Sequence, residues 1–324
     1  MDELKVKQEI RVAVVMATYN PNLEFFKEQI QSLKSQTFTN WKCYISDDLS
    51  EDDIFHSMKK IVADDSRFVL TSHEKPCGTP FNFENALKQV STDVSFIAFC
   101  DQDDVWEPNK LEELLIHFKD PQVMVVHSDL SLIDSKGLKI AESCWKAEGR
   151  EFQHKELFEL LLRNNVTGCS MMFRQGLMKC ILPFPLQPRV PYYYHDHWVA
   201  LHGLLKGEIK AIHQPLVRYR QHSNNVIGAH LKAKVGLLRK LLNFRSIMKK
   251  SVQAYKQRQA IYNDLTSYNS NARTELLIWQ AGFPAFAMYL VRRAIITPQM
   301  RPLTVQLIIG YVLINFFPRY SQNI

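Results

Sequence analysis

Two hydrophobic patterns alternate along the first 130 residues of the chain. Short runs of apolar and β-branched residues are typical of buried strands, and apolar residues at three- and four-residue intervals are typical of helices. The predicted strands lie within residues 11–20, 41–46, 67–72, 94–100 and 123–128, and the predicted helices within 23–36, 81–90 and 108–118. Strands that alternate with helices predict an α/β fold with an open, mostly parallel central sheet flanked by helices.

The pattern loosens after about residue 135. It predicts a helix at 155–163, a strand at 167–173 and a proline-rich turn at 182–191. A helix from His197 onward and a strand at 216–222 follow. Beyond them the chain is helical in pattern, basic up to about residue 268 and largely apolar after it. We therefore predict a domain over residues 1–230 and a helical, basic and apolar extension over residues 231–324.

The formal charge of +7 at pH 7 is distributed unevenly between these two parts. Residues 231–324 hold 14 Lys or Arg and two acids, a net charge of +12, which leaves −5 for residues 1–230. A mildly acidic body argues against a nucleic-acid groove running through it. The basic extension instead predicts contact with an anionic surface.

The cysteines and the N-terminus bear on the cellular compartment. The six cysteines are widely spaced and form no CxxC pair, which argues against a zinc site and a dense disulfide framework. Such usage favours a reducing compartment. The first ten residues, MDELKVKQEI, lack the apolar segment of a secretory signal. We therefore expect a cytoplasmic protein.

The stretch SFIAFCDQDDVW, residues 95–106, runs an apolar strand directly into Asp101, Asp103 and Asp104. Asp47 follows another predicted strand, and the carboxyl ends of parallel strands line the crevice in which open α/β sheets bind ligands. Clustered carboxylates repel one another unless a cation lies between them, and Mg²⁺ or Mn²⁺ bridging a diphosphate would satisfy them. In the structural alternative, Asp101 caps the turn while Asp103 and Asp104 begin the next helix.

Two nucleotide-binding motifs are absent from the sequence. No GxGxxG follows the first predicted strand, which argues against a Rossmann dinucleotide site. No GxxxxGK[ST] occurs either, which argues against a P-loop. A nucleoside diphosphate held through a metal ion is the arrangement that remains.

Five blocks of sequence, in this order, resemble family 2 glycosyltransferases of the GT-A fold. ATYNPNLEFFKEQIQSLKSQTFTNWKCYISDDLSEDDI and FCDQDDVWEPNKLE resemble the nucleotide-binding half of that family. TGCSMMFRQ, HDHWVALHGLLKGEI and PLVRYRQHSNNVIGA resemble a bacterial rhamnosyltransferase-like branch that builds surface polysaccharides. The resemblance spans about residues 10–230 and implies a nucleotide-binding half over about 10–130 and an acceptor half over about 131–230.

The resemblance implies roles for the first two strand ends in donor binding. Asp47 would accept a hydrogen bond from the imide of the base, and the loop containing Ala17 and Tyr19 would hold base and ribose. Plain turn formation by Asp47 and Asp48 is the alternative.

The resemblance also implies the metal site. Asp101 and Asp103 match the DxD pair, with Asp103 as the direct ligand of Mn²⁺ or Mg²⁺, and Asp104 would bind the ribose or the metal. Some relatives complete the site with a histidine, which predicts His222 as a ligand, although a lone histidine is more often structural. Arg220 would offset the diphosphate charge or line the rim of the crevice.

The run YYYHDHW places Asp196 where the family carries its general base. An inverting transfer needs one carboxylate to accept the proton of the attacking hydroxyl, and desolvation would raise the pKa of that carboxylate and its basicity. Many relatives have Glu before this Asp, whereas His195 stands here, so its role stays open between orienting the base, contacting the acceptor and simple exposure. Trp198 would floor the acceptor pocket or be buried in its helix, and Trp106 is expected to pack.

The extension has the composition of a helix that lies on an anionic membrane. Residues 231–260 contain nine Lys or Arg and no acid, interleaved with apolar residues. A solvated face packed on the domain is the alternative. The apolar run 303–317 is shorter than the roughly 20 residues that a spanning helix needs.

Together these features predict an inverting, metal-assisted glycosyltransferase that is peripheral on the inner face of the bacterial cell membrane. It would move L-rhamnose from a nucleoside-diphosphate sugar to a hydroxyl of a lipid-linked or growing surface polysaccharide, with a UDP-hexose donor as the alternative. A nucleotidyltransferase is the first rival, but ATYNPN lacks its glycine-rich, basic phosphate loop. A non-catalytic carbohydrate- or membrane-binding protein is the second.

Overall fold

The computed structural model describes residues 10–149, 156–185, 194–222, 244–268, 272, 276, 283–296 and 301–316. The end of the predicted proline-rich turn and the first part of the basic extension lie outside these residues. The chain divides into two compact units. The first comprises Met1–Lys155, Asn164–Phe184 and Tyr194–His230, and the second comprises Glu156–Arg163, Pro185–Tyr193 and Leu231–Ile324.

All strands found among the described residues belong to the first unit. They are β1 (Val12–Thr18), β2 (Trp41–Asp47), β3 (Phe68–Ser72), β4 (Phe96–Cys100), β5 (Val105–Trp106), β6 (Val123–Ile133), β7 (Lys139–Ala141), β8 (Met171–Arg174) and β9 (Glu208–Arg220). The helices are α1 (Leu23–Lys34), α2 (Asp52–Val62), α3 (Thr79–Lys88), α4 (Lys110–Ile116), α5 (Cys144–Glu148), α6 (Leu157–Leu162), α7 (Met178–Ile181), α8 (His195–Lys206), α9 (Phe244–Tyr268), α10 (Phe283–Ile296) and α11 (Arg301–Phe316). Short 3₁₀ turns occur at His117–Lys119, Gly168–Ser170 and Gln175–Leu177.

The strands form one nine-stranded sheet in the order β3-β2-β1-β4-β8-β6-β9-β5, with β7 beside β6. The first four strands of this order are parallel, as predicted. β8 then runs antiparallel to both β4 and β6, and β6 pairs in parallel with β9. The predicted α/β sheet is therefore confirmed. Its second half is mixed, which was not predicted because hydrophobic periodicity does not reveal pairing direction.

The position of β1 explains where a ligand site forms. β2 and β4 lie on either side of β1, so the strand order reverses there and the carboxyl ends of all three strands open into one crevice. Every residue of β4 is buried, and β1 is nearly so, which accounts for their uninterrupted apolar sequences. Thr18 and Asp47 are paired at this edge, and Asp101 follows the last residue of β4.

The second unit is helical, and α9 packs against α11. The Tyr255 and Tyr311 rings meet edge to face with centroids 5.5 Å apart. A Cβ at Gly310 would lie 2.2 Å from the Ser251 carbonyl oxygen, so only glycine permits this close approach. Arg258 Nε of α9 donates to the Leu162 carbonyl at the end of α6, at 3.2 Å. Within the described part of the chain, no helix has the length and apolar character that a membrane crossing requires.

Candidate active site

Asp47, at the end of β2, is fully buried and accepts four hydrogen bonds. The donors are the Thr18 hydroxyl at 3.0 Å, the Ser50 amide at 2.8 Å, the Ser50 hydroxyl at 2.6 Å and the Ser72 hydroxyl at 3.2 Å. A carboxylate offers about four acceptor positions, so all are taken. In this structure Asp47 holds the strand-end loops, and its predicted bond to a base requires that one of these donors be exchanged.

Asp48 is the neighbouring carboxylate, and it holds the loop ahead of α3. It accepts hydrogen bonds from the backbone amides of Cys77, at 2.6 Å, and Gly78, at 2.9 Å. Gly78 has φ +81°, a left-handed conformation that glycine adopts without strain. Asp48, His73 and Cys77 also form one of two groups of potential metal-ligand atoms that lie within 4.8 Å of one another in the described residues.

The predicted base and ribose loop lies above β1. Ala17 is half-buried within the strand, and Tyr19 is 56% exposed. The Tyr19 amide donates to Gln102 Oε1 at 2.9 Å, which ties this loop to the residue between Asp101 and Asp103. Tyr19 therefore presents an exposed aromatic ring on a loop that is bound to the DxD segment. Its contact with a nucleoside stays a prediction.

Asp103 and His222 meet although 119 positions separate them. His222 Nε2 lies 2.7 Å from Asp103 Oδ2, and both side chains are less than one-fifth exposed, at 17% and 19%. The Phe25 ring lies 5.6 Å from the imidazole, centroid to centroid. A hard carboxylate oxygen and an imidazole nitrogen in contact are a donor pair that suits Mn²⁺.

Asp101, Asp104 and Cys169 form the second group of potential metal-ligand atoms within 4.8 Å of one another. Burial, followed by the charges of Asp103 and Asp196, raises the pKa of Asp101 to about 7. The pKa of Asp104 is also raised, well above its usual range. Burial is the main cause, and the charges of Asp103 and Asp101 add to it. Asp104 is wholly buried and one of its oxygens has no hydrogen-bond partner. Both shifts show that negative charge is unfavourable at this cluster, and a bound cation would favour the ionised carboxylates.

Arg220 anchors this cluster to α1. Its guanidinium is 1% exposed, forms an ion pair with Glu28 and donates from Nε to the Asp103 carbonyl at 2.8 Å. Its backbone amide donates to Asp104 Oδ1 at 3.0 Å, and its guanidinium carbon lies 4.3 Å from the centre of the Phe25 ring. Arg220 was predicted to offset diphosphate charge, but in this structure its side chain is already buried and paired. Its described contacts position the DxD loop.

Lys110 lies beneath the same cluster, and sequence reasoning missed it. Its Nζ is buried, donates to the Cys169 carbonyl at 2.5 Å and lies 3.1 Å from the centre of the Trp106 ring. Burial lowers the pKa of Lys110 to about 7, although the neighbouring thiols and carboxylates oppose that shift. The buried face of α4 consists of Lys110, Leu111 and Leu114. Their helical spacing is the sequence pattern from which the burial of Lys110 could have been predicted. Trp106 itself is 2% exposed, as expected for packing.

Asp196 lies in the first turn of α8, where the helix dipole favours a negative charge. Its Oδ2 accepts from the Gly168 amide at 3.0 Å, and its Oδ1 accepts from Asn164 Nδ2 at 3.1 Å and from the His197 amide at 2.6 Å. Its charge contributes to the raised pKa of Asp101. The predicted base and the DxD cluster therefore lie close enough to interact electrostatically.

His195 is buried next to the predicted base, so the alternative of simple exposure is wrong. It stacks on Phe83 with centroids 3.8 Å apart and meets Phe99 edge-on at 4.7 Å. Burial lowers the pKa of His195 to about 3, so the imidazole is neutral near pH 7. Trp198 is also buried, and its indole nitrogen donates to the Ile181 carbonyl at 3.0 Å. Both residues support α8 from within the core.

Comparison with known proteins identifies the family of the chain. Residues 13–181, just over half of the chain, match the family model described as Glycosyl transferase family 2. The chain is 25% identical over 224 residues to the *Escherichia coli* UDP-Glc:alpha-D-GlcNAc-diphosphoundecaprenol beta-1,3-glucosyltransferase WfgD, covering 68% of this chain and 81% of WfgD. It is 24% identical over 278 residues to the *Shigella flexneri* dTDP-rhamnosyl transferase RfbG, covering 82% of this chain and 93% of RfbG.

Two solved structures show the same fold. *S. aureus* TarS superposes with a TM-score of 0.57 at 15% identity, covering 88% of this chain and 44% of TarS. The mannosyltransferase PcManGT from *Pyrobaculum calidifontis*, solved with GDP-Man and Mn²⁺, has a TM-score of 0.52 at 16% identity and covers 95% and 88% of the two chains. With its strand-end acids, its GT-A sheet and its match to the family model, the chain belongs to glycosyl transferase family 2 and is a glycosyltransferase.

Proposed function

We propose that this enzyme is an inverting glycosyltransferase of surface-polysaccharide assembly, with a nucleoside-diphosphate sugar as donor and a saccharide hydroxyl, free or lipid-linked, as acceptor. The observation that carries the proposal is the proximity of two kinds of carboxylate. Asp101 and Asp103 follow β4, and Cys169 has its sulfur within 4.8 Å of an Asp101 oxygen. The amide of the preceding residue, Gly168, donates to Asp196 at 3.0 Å, which places Asp196 beside the same cluster. Asp101 and Asp103 suit the binding of a cation and the donor diphosphate, and Asp196 suits the removal of a proton from the acceptor hydroxyl.

In the proposed reaction Asp196 accepts the proton of the acceptor hydroxyl as that oxygen attacks the anomeric carbon. The bond from that carbon to the diphosphate breaks, and the nucleoside diphosphate leaves with the electron pair. Asp103, Asp101 and His222 would hold Mn²⁺ or Mg²⁺, which when bound neutralises the diphosphate of the leaving group. Tyr19 and Ala17 hold the nucleoside, with Asp47 and Asp48 fixing the loops around it.

L-Rhamnose carried by dTDP is the proposed donor sugar, with a UDP-hexose as the second candidate. The support is similarity alone, since RfbG is named a dTDP-rhamnosyl transferase and WfgD uses UDP-Glc by its name. TuaG of *Bacillus subtilis*, named as a putative teichuronic acid biosynthesis glycosyltransferase, supports polysaccharide assembly as the setting.

A screen of sugar nucleotides tests the donor. dTDP-L-rhamnose, UDP-glucose, UDP-N-acetylglucosamine and GDP-mannose are compared for thermal stabilisation with Mn²⁺ and for slow hydrolysis without acceptor. We expect the largest stabilisation from dTDP-L-rhamnose, because a ligand stabilises the fold according to its affinity. Selective stabilisation by a UDP-sugar would replace rhamnose with a hexose. No response to any sugar nucleotide would contradict the enzymatic proposal.

We also propose that the second unit attaches the enzyme peripherally to the inner face of the cell membrane, where a lipid-linked acceptor would be met. Residues 231–324 carry a net charge of +12. The exposed side chains of α9 include Lys249, Lys250 and Lys256. Met288 and Phe316 are apolar and 70% and 63% exposed. A helical unit that exposes both basic and apolar side chains suits an anionic bilayer surface.

Neutralising the exposed lysines of α9 tests this attachment. Lys249→Gln, Lys250→Gln and Lys256→Gln together are expected to weaken binding to phosphatidylglycerol vesicles by about a hundredfold, at about 1 kcal/mol for each basic residue near the surface. Flotation with vesicles measures the bound fraction. The matched control replaces three exposed lysines of the first unit, Lys27, Lys59 and Lys60, with Gln. Equal losses in both triple variants, or none in either, would contradict membrane attachment through α9.

A further inference from the structure

Asn164 lies in the segment that follows α6 and precedes β8. Its side chain makes two hydrogen bonds, one as donor and one as acceptor. Its Nδ2 donates to Asp196 Oδ1 at 3.1 Å, and its Oδ1 accepts from the Val166 amide at 3.0 Å. The second bond shapes the segment that leads into the Gly168–Ser170 turn. The first bond reaches across 32 positions to the predicted base. One amide group therefore links the local turn to the carboxylate.

The described donors to Asp196 are two backbone amides and this single side chain. An ionised carboxylate only accepts hydrogen bonds, so these three donors favour the ionised form, which is the form that removes a proton. They also occupy both oxygens, which restricts rotation of the carboxylate. Among these three described donors, Asn164 is the one whose hydrogen bond comes from a side chain, so a conservative substitution can remove it.

The surroundings of Asp196 leave little freedom for the carboxylate to move. A Cβ at Gly168 would lie 2.9 Å from His195 Nε2 and 3.5 Å from Asp196 Cβ, so the turn packs directly against the base. His195 is neutral because burial lowers its pKa, and burial raises the pKa of the Cys169 thiol. The Asp101 carboxylate also interacts with Asp196. A neutral donor such as Asn164 supports the charge without introducing a cation.

We propose that Asn164 is a positioning residue for the reaction, holding the Asp196 carboxylate ionised and oriented toward the acceptor hydroxyl. This inference rests on the proposed function, in which Asp196 is the base. It differs from a purely structural role, in which the bond to the Val166 amide would be the whole contribution of Asn164.

Asn164→Asp separates these two roles because the shapes of the side chains match. One carboxylate oxygen still accepts from the Val166 amide, so the turn is retained. The other oxygen replaces the donor and places a second negative charge against Asp196. We expect kcat to fall by about tenfold to a hundredfold, the effect of losing a hydrogen bond to a charged group. The acid limb of the kcat–pH profile should move upward by about one pH unit or more.

The controls distinguish positioning from instability and from a wrong base. Asn263→Asp is a matched change on α9, where the residue is exposed and accepts from Gln259 at 3.0 Å, and it should leave kcat, the pH profile and the melting temperature unchanged. The donor Kd of Asn164→Asp should equal that of the wild type. An unaltered pH profile, whether kcat is unchanged or falls together with the melting temperature, would overturn the positioning role.

Asp196→Asn is measured in the same series. If that variant is slow while Asn164→Asp transfers sugar like the wild type, only the positioning role fails. If Asp196→Asn itself transfers at the wild-type rate, the base assignment fails and the role of Asn164 fails with it.

Discussion

Asp196→Asn is expected to slow sugar transfer by about a hundredfold or more, the scale of a general-base contribution. The amide keeps the size and polarity of the carboxylate but cannot accept the acceptor proton. Its carbonyl oxygen can still accept one of the hydrogen bonds that Gly168, Asn164 and His197 now donate. Initial rates of transfer at saturating donor and acceptor measure the change.

The control for Asp196→Asn is donor affinity, which should stay at the wild-type value because the predicted donor contacts lie on other residues. Transfer at a near wild-type rate would place the base elsewhere. His195 is the sequence neighbour that would then come under consideration, but burial lowers its pKa to about 3 and its ring stacks on Phe83. A base that weak is poorly matched to neutral pH, so this outcome would remove general-base catalysis from α8.

Asp103→Asn is expected to abolish the stimulation of transfer by Mn²⁺, with a loss of at least a hundredfold at metal concentrations that saturate the wild type. The amide can still hydrogen-bond to His222 Nε2, which lies 2.7 Å from the present carboxylate, so the fold should be retained. An amide is uncharged and is a weaker ligand for a hard divalent cation than a carboxylate. Transfer rates over a Mn²⁺ titration, together with melting temperatures of the ligand-free proteins, measure the effect.

The pH dependence of metal stimulation gives an internal check on this prediction. Burial and the Asp103 and Asp196 charges raise the pKa of Asp101 to about 7. Below that pH Asp101 carries a proton that a cation must displace, so the Mn²⁺ concentration for half-maximal stimulation should rise as the pH falls. A metal requirement that is constant between pH 6 and pH 8 would argue that Asp101 is not a ligand.

The first half of the sheet was predictable because its sequence signal is local. β1 and β4 are uninterrupted apolar runs, and Asp47 of β2 and Asp101 after β4 lie at one edge of the sheet because parallel strands end there. Gly168–Ser170 form a 3₁₀ turn within the segment 167–173 that was predicted as a strand, and the strand that pairs with the sheet is Met171–Arg174. Short apolar segments carry too little periodicity to separate a turn from a strand.

The side-chain partners within the site were not predictable, because they lie far apart in sequence. Arg220 pairs with Glu28 across 192 positions, and Lys110 reaches the Cys169 carbonyl across 59. Neither contact follows from composition or spacing. Asp103 and His222 were predicted together only through resemblance to a family, and the structure brings their side chains into contact. Their role as metal ligands remains a prediction.

Calorimetric titration of nucleoside diphosphate into three proteins, with and without Mn²⁺, tests the proposed division of labour most directly. The proteins are the wild type, Asp196→Asn and Asp103→Asn, and the nucleoside is the one selected by the donor screen. We predict that Asp196→Asn binds the nucleotide with the wild-type affinity and metal dependence, while Asp103→Asn loses the metal-dependent part. Metal-dependent affinity that is undiminished in Asp103→Asn, or equally lost in both variants, would contradict separate metal and base sites.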